Sequence, residues 1–308
     1  MKNILDIKIK SLTQNESVKV VDSLRNLLSM FGFLDLRRLK KIVIAQDVNA
    51  EINLIKKSKH KEDSSVFAKV ITIVEKNRIN IVIVMRKSLA LSLVKTQQCN
   101  VGYKEALHIF HHELAHVHDY NKKIDVFEKH MIAGEYQGIQ MITYPLAEVC
   151  WSEYIANFIS SSSTNLKSFP ILTAEILAQL VMSITKDIKT KMMVYKSNKN
   201  RIDIIEDIKK DVEKTIKTAA YLLGYLHGLN ITLAELSDEI DFQISKSRFK
   251  DTWDLMSFQL SSMRIVYPYG WERLRIYEDL ADCFRSFYKD IGLTLKENEK
   301  KELYFIVA

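Results

Sequence analysis

The chain has 308 residues, of which 47% are hydrophobic and 27% are charged, with only 8 Gly and 3 Pro. This composition excludes a disordered or low-complexity protein and is typical of a chain that folds mostly into helices. Lys and Arg exceed Asp and Glu by 45 to 38, a formal charge of +7. The surplus is spread thinly and residues 196–217 mix both signs, so nucleic-acid binding is not the expected function.

The sequence also limits the expected location of the protein. No uninterrupted apolar stretch reaches the roughly 18 residues that span a bilayer, and the first residues carry charges where a secretory signal would be apolar. Cys99, Cys150 and Cys283 form no CxxC pair, which argues against a disulfide framework and against a thiolate zinc site. We therefore expect a cytoplasmic protein with no membrane segment and with reduced, unpaired cysteines.

In chain order, the first third alternates between helix and strand patterns. Apolar spacing predicts a helix over 17–30 and a short strand over 41–45. Residues 70–74 and 79–85 are rich in β-branched side chains and flank a polar segment, so they predict an antiparallel hairpin. The second strand is either an edge strand on which a peptide could lie by β-augmentation or an interior strand, and the sequence leaves both open.

Helical periodicity dominates after residue 103. Predicted helices cover 103–120, 146–159, 174–186, 202–227 and 272–288. The polar stretch 160–170 is the best candidate for a linker. The predicted fold is α+β: a domain over residues 1–165 with a small mixed or antiparallel sheet, followed by a helical domain or helical elaboration over 166–308.

An HExxH motif, His112-Glu113-Leu114-Ala115-His116, lies inside a histidine-rich run. Two residues four apart lie about one turn apart on the same helix face, so both imidazoles can reach one zinc ion at about 2.0–2.1 Å. Glu113 projects about 100° to the side, where a general base would meet a metal-activated water. The opposite side of the helix carries an apolar stripe: Leu107, Phe110, Leu114 and Val117.

The angle of each neighbouring polar residue around this helix, relative to His112, predicts the helix face on which it lies. His108 and Asp119 fall on the ligand side, and Asp119 is a candidate to orient a ligand by hydrogen bonding. His111 and His118 fall on the side away from Glu113, so we place them at the rim of the site or behind the ligands. Two alternatives remain: an amphipathic helix with surface histidines, and a zinc site that serves only stability.

A third ligand is required, and a downstream helix offers Glu148 and Glu153. We prefer Glu153 because Asn157, four residues later on the same face, could hydrogen-bond a ligating histidine. In the alternative interpretation both glutamates are solvated.

The HExxH motif and the later run Glu153-Tyr154-Ile155-Ala156-Asn157-Phe158 together resemble the gluzincin metallopeptidases, and the ImmA/IrrE family in particular. The resemblance covers about residues 40–160. It implies a zincin-like domain, hydrolysis of peptide bonds, one zinc held by His112, His116 and Glu153, and Glu113 as the catalytic base. The 36 residues between His116 and Glu153 and the large helical half depart from that family pattern.

We therefore expect an intracellular zinc-dependent metallopeptidase with a peptide or protein substrate, acting in regulatory proteolysis. His227, at the end of the apolar stripe of the 202–227 helix, is the first candidate for a second oxyanion donor, with Tyr144 and Tyr154 as alternatives. The rival is a catalytically weak, zinc-containing module that binds a protein or DNA. Residues 231–256 resemble a helix-turn-helix only faintly, without its turn glycine.

Overall fold

The computed structural model describes residues 5–10, 12–57, 66–75, 78–94, 100–133, 136–197, 202–271, 274–301 and 303–307. It is an α+β protein that is mostly helical, with a small mixed sheet and a helical C-terminal region. The chain divides into two compact units, residues 1–128 and 129–308. The sequence prediction places the boundary near residue 165 instead, after the helix that carries Glu153.

The first unit holds a four-stranded sheet and four helices among the described residues. In chain order the elements are β1 (Asp6–Ile9), α1 (Gln14–Met30), β2 (Leu39–Ala45), α2 (Val48–Lys56), β3 (Ala68–Glu75), β4 (Arg78–Arg86), α3 (Lys87–Ser92) and α4 (Val101–Ala133), the last of which runs past residue 128. Side chains fix the start of two helices: Thr13 and Glu16 form a capping box on α1, and Asp47 accepts from the Ala50 amide on α2.

The strand order in the sheet is β1-β2-β4-β3. Strands β1, β2 and β4 are parallel, whereas β3 pairs with β4 antiparallel. The predicted hairpin is thus confirmed, although its turn at residues 76–77 lies outside the described part. β4 is an interior strand, so the edge-strand interpretation of 79–86 is wrong; its run from Ile81 to Met85 is at most 2% exposed because both faces are covered.

Helix α2 lies on one face of this sheet. Val48 and Ile52 of α2 pack against Val43, Val82 and Ile71 of three different strands. Alternating side chains of a strand point to opposite faces, so the β-branched run that predicted the hairpin also supplies this layer of core.

Helix α4 carries the HExxH motif and is not straight throughout. Phe127 has φ −122° and ψ 18°, values outside the helical range, so the helix is interrupted there. The interruption lies one residue before the end of the first unit.

The second unit contains, among the described residues, seven helices, two short 3-10 helices and a hairpin. In chain order these are α5 (Gln140–Ser160), a 3-10 turn (Ser161–Ser163), α6 (Phe169–Ser197), α7 (Ile202–Leu229), α8 (Leu233–Leu236), α9 (Asp238–Ser245), α10 (Lys250–Val266), a 3-10 turn (Leu274–Tyr277), α11 (Glu278–Asp290), β5 (Leu293–Glu297) and β6 (Leu303–Val307). α7 packs against both α5 and α6. The predicted linker 160–170 is the short connection between α5 and α6, where Ser160 and Ser161 are buried.

The contact of α5 with α7 depends on two glycines. A Cβ built on Gly224 would lie 2.5 Å from the Tyr154 carbonyl oxygen, and one on Gly228 would lie 2.5 Å from Oγ of Ser161. Both distances are shorter than van der Waals contact, so only glycine permits this approach of the two helices. The apolar face of α7, which the sequence predicts, thus buries the helix that carries Glu153.

Several findings differ from the sequence-based expectations. Strand β1, helices α2, α3 and α10, and the β5–β6 hairpin were not predicted. By length and composition alone, Phe169–Lys191 of α6 is apolar enough to cross a membrane, with a mean hydropathy of 1.3 and 35% of the segment buried. The expectation of no such segment counted only uninterrupted apolar runs, whereas Glu175 and several uncharged polar residues separate the apolar ones here.

Candidate metal centre

The two histidines of the motif face each other on α4. Their Nε2 atoms lie 2.9 Å apart, and the rings are perpendicular with centroids 4.5 Å apart. This follows from the four-residue spacing, which places both side chains on one helix face. Phe110, Leu114 and Val117 on the opposite side have no exposed surface, whereas Leu107 is half-buried, so the predicted apolar back face of the motif is confirmed for three of its four residues.

His111 and His118 do not lie at a rim. His111 is 1% exposed and stacks on Phe31, with ring centroids 4.0 Å apart, and burial lowers its pKa to about 4. Nδ1 of His118 accepts a hydrogen bond of 2.8 Å from the Asp35 amide. Burial, followed by the charge of Lys122, lowers the His118 pKa. Both side chains therefore anchor the segment after α1 against α4.

Asp119 is fully buried and forms an ion pair with Lys123, one turn further along α4. The Oδ2 to Nζ distance is 3.0 Å, and the side chains are 0% and 2% exposed. Nζ of Lys123 also lies 4.7 Å from the centre of the Tyr120 ring. This ion pair was missed from the sequence, although an Asp and a Lys four residues apart on a helix are a readable signal.

Glu153 lies on α5, on the part of the helix that packs against α7. Its side chain is 14% exposed, and Oε1 lies 3.6 Å from Nζ of Lys217 on α7. The other oxygen, Oε2, is buried. The ammonium stabilises the charged carboxylate that a metal ligand must be. Nothing local in the sequence indicates this pair, because the two residues lie on different helices.

Asn157 does not bind a ligating histidine. Its amide nitrogen donates to the Tyr221 carbonyl of α7 at 3.1 Å, and its Oδ1 is buried with no partner among the described residues. The predicted hydrogen bond to a histidine is therefore wrong. A buried amide takes the nearest backbone acceptor, and Gly224 brings the α7 backbone close to Asn157.

His112, His116 and Glu153 form a group that could hold a metal ion. One ligand atom from each residue lies within 4.8 Å of the ligand atoms of the other two. Glu148, the alternative carboxylate, does not belong to this group. Two imidazole nitrogens and one carboxylate oxygen are a donor set used by catalytic zinc sites, which leave a fourth position for water or substrate. The sequence-based choice of the three ligands thus matches the group that the structure brings together.

Glu113 follows the first histidine of this group on α4. Its side chain is 7% exposed. A buried carboxylate next to two imidazoles has the chemical character of a general base, and its position one residue after His112 directs it to the side of the ligand face.

His227 has protein partners at both ring nitrogens. Nδ1 lies 2.8 Å from the Tyr154 hydroxyl, and Nε2 lies 3.2 Å from Oγ of Ser257. Burial, followed by the charge of Arg264, lowers the His227 pKa. Burial also raises the pKa of Tyr154 to about 12. These bonds tie α5, α7 and α10 together, and an oxyanion-stabilising role for His227 stays a prediction.

Tyr144, the other alternative donor, bonds through its hydroxyl to the Glu278 carboxylate. Cys150 and Cys283 are buried and free, as predicted. Burial raises the pKa of both thiols, that of Cys283 to about 11, so neither is a reactive thiolate near neutral pH. Cys99 lies outside the described residues.

Comparison of the chain with protein-family models, with curated proteins and with solved structures finds no match. The function must therefore be inferred from the motif and from the geometry of its residues.

Proposed function

We propose that this protein is a zinc-dependent metallopeptidase with a zincin-like catalytic domain of the gluzincin type. The observation that carries the proposal is the convergence of His112, His116 and Glu153 within 4.8 Å. The first two come from an HExxH helix that fully buries Phe110, Leu114 and Val117 on its opposite side. A surface helix with incidental histidines has no reason to meet a half-buried carboxylate from a different helix.

The chain supplies the groups that peptide hydrolysis requires. When bound, zinc lowers the pKa of a coordinated water and polarises the substrate carbonyl. Glu113 accepts the proton of the attacking water and returns it to the nitrogen of the leaving amine. Lys217, 3.6 Å from Oε1 of Glu153, holds the carboxylate in place and favours its charged form, which a metal ligand requires.

Metal analysis of the purified protein tests the proposed ligand set. We expect about one zinc per chain in the wild type. Glu153→Gln keeps the shape of the side chain but removes its charge, so zinc affinity should fall by at least about tenfold. The matched control is Glu148→Gln on the same helix, which should bind zinc as the wild type does. Full zinc content and affinity in folded Glu153→Gln protein would contradict the assignment.

Peptidase activity requires a separate measurement because the substrate is not known. Incubation of the zinc-loaded protein with a diverse peptide pool, followed by mass spectrometry of new termini, should show cleavage. The wild type and Glu148→Gln should produce the same new termini, and Glu153→Gln should produce none. Zinc binding without any cleavage in the wild type would favour the interaction module over the peptidase.

A further inference from the structure

A groove lies on the sheet face that α2 covers only in part. At about 3.3 Å per residue, the 8 residues of β3 extend about 26 Å, whereas the 9 residues of α2 at about 1.5 Å each extend about 13 Å. The helix packs over the half that contains Val43 and Val84. Beyond its end lies a cavity of about 760 Å³, within the range of small-molecule sites.

The floor of the groove is aliphatic. Ile55 from the last turn of α2, Ile73 from β3 and Val82 from β4 line it. Val82 is 2% exposed, and Ile55 and Ile73 are partly buried against the core under α2. None of the described lining residues is aromatic. An apolar ligand body would therefore rest on branched aliphatic side chains.

The walls of the groove are basic. Four lysines line it, Lys40 and Lys41 from β2 and Lys56 and Lys57 from the end of α2, against a single acid, Glu75. Lys40 pairs with Glu75, and Lys41 lies 3.4 Å from Asp6.

Lys56 and Lys57 are both exposed and form no ion pair with any described residue. Their like charges lie at one mouth of the groove, so an anion there would relieve their repulsion.

The charge of the whole first unit supports an anionic ligand. Residues 1–128 contain 22 Lys and Arg against 14 Asp and Glu, whereas residues 129–308 contain 23 against 24. The surplus that looked evenly spread along the sequence therefore belongs to the unit that contains the groove. A net positive unit raises the local concentration of anions around it.

We propose that this groove binds a small organic diphosphate, or an equivalent multivalent phosphate ester, whose body is aliphatic. Lysine ammonium groups bind phosphate oxygens as point charges, which Lys41, Lys56 and Lys57 supply. The body of the ligand lies against Ile55 in the last turn of α2 and Ile73 of β3, which are only partly buried, above Val82. This site uses none of the residues of the candidate metal centre.

Isothermal titration calorimetry with two probes tests the proposal. Inorganic pyrophosphate carries the charge alone, and farnesyl diphosphate adds an aliphatic body. We expect farnesyl diphosphate to bind at least about tenfold more tightly than pyrophosphate, since burial of its aliphatic chain adds to the binding free energy. Affinity for both probes should fall as the salt concentration rises. No binding of either probe at low salt would overturn the proposal.

The variants separate charge from apolar contact. The double variant Lys56→Gln/Lys57→Gln should lower the affinity for both probes by at least about tenfold. Lys19→Gln/Lys104→Gln, an equal charge change at exposed positions on α1 and α4, should change affinity by less than about twofold. Ile73→Thr should lower the affinity for farnesyl diphosphate severalfold and leave the affinity for pyrophosphate unchanged. If the two double lysine variants lose affinity equally, the probes bind to the net charge of the protein and the proposed site is wrong.

A diphosphate can also chelate zinc, so the metal centre needs its own control. Glu153→Gln should bind farnesyl diphosphate as the wild type does. Loss of binding in Glu153→Gln, with binding retained in Lys56→Gln/Lys57→Gln, would assign the ligand to the metal centre and overturn the proposal.

Discussion

Residues 1–128 and residues 129–308 bury different kinds of polar group. Among the described residues, the buried carboxylates, imidazoles and ammonium group belong to the first unit, and six of them lie on α4: His108, His111, Glu113, His116, Asp119 and Lys123. The buried polar residues of the second unit are neutral Ser, Thr and Asn side chains, such as Thr215, which donates to the Asp211 carbonyl at 2.9 Å.

This contrast indicates that the first unit buries charged groups for function, whereas the described part of the second unit buries only neutral ones. Burying a charge is costly unless it is paired, and a buried ion pair rarely stabilises a fold more than apolar residues of similar size. A helix that buries two acids, a lysine and three histidines is therefore poorly explained by stability. In the second unit, the buried hydroxyls of Thr143, Ser161 and Thr215 donate to backbone carbonyls three or four residues earlier. Such neutral groups cost little to bury, so they are compatible with close helix packing.

The variant Glu113→Gln tests most directly whether a buried charge on α4 serves catalysis. If Glu113 is the general base, peptidase activity should fall by about 10²–10⁴-fold. Zinc content and the free energy of unfolding should stay close to the wild-type values, because the substitution removes a buried charge and keeps the shape. The measurement combines peptide cleavage, metal analysis and denaturant unfolding. Unchanged kcat/KM would show that Glu113 is not the base.

Gly224→Ala probes the second unit and should act on stability. The added methyl group would meet the Tyr154 carbonyl at 2.5 Å, so we expect the α5–α7 contact to open at a cost of about 1–3 kcal/mol, offset in part by the better helix propensity of Ala. Urea unfolding measures the loss.

Gly102→Ala is the matched control, because a Cβ there approaches only a side chain, at 3.3 Å from Oδ1 of Asn100. Its effect should be small. If both variants unfold at the same urea concentration, the close approach of α5 and α7 does not limit the stability of the second unit.

The smallest expected effect is the pH dependence from His227. Its pKa is lowered below 6.5 by burial and by Arg264, so the unfolded chain binds this proton more readily than the folded chain. The corresponding stability is present above pH 6.5 and is lost as the pH falls below it, at no more than about 1.4 kcal/mol per pH unit.

Unfolding of the wild type and of His227→Gln between pH 7.5 and 5.5 measures this contribution. The wild type should lose stability more steeply than the variant over that window. Parallel profiles would show that the Tyr154, Ser257 and Arg264 side chains around His227 leave its proton affinity as it is in the unfolded chain.

Much of the fold could be predicted because the patterns were strong. The β3–β4 hairpin and helices α1, α4, α5, α6 and α7 all follow from long runs with period 2 or 3.6. Strand β1 and the β5–β6 hairpin were missed since they are only 4 or 5 residues long. In β1, Asp6 and Lys8 alternate with Ile7 and Ile9, a pattern too short to be distinguished from a polar loop.

The metal ligands show which contacts sequence spacing can predict and which it cannot. His112 and His116 could be paired from the sequence because four residues on a helix fix their relative position. Glu153 could only be ranked above Glu148, and the argument used for it, a bond from Asn157 to a histidine, is wrong. The choice matches the structure through a different cause: α5 packs on α7 at Gly224, which sets the face that Glu153 occupies.

By itself, the sequence determined the helix with its two imidazoles and neighbouring carboxylate, the apolar stripe behind them and the helical character of the second half. These depend on backbone periodicity, which acts over a few residues. Tertiary structure alone decided that Lys217 meets Glu153, that His111 packs on Phe31 and that four lysines share one groove. Such contacts join residues far apart in the chain, and no local rule of spacing encodes the packing that brings them together.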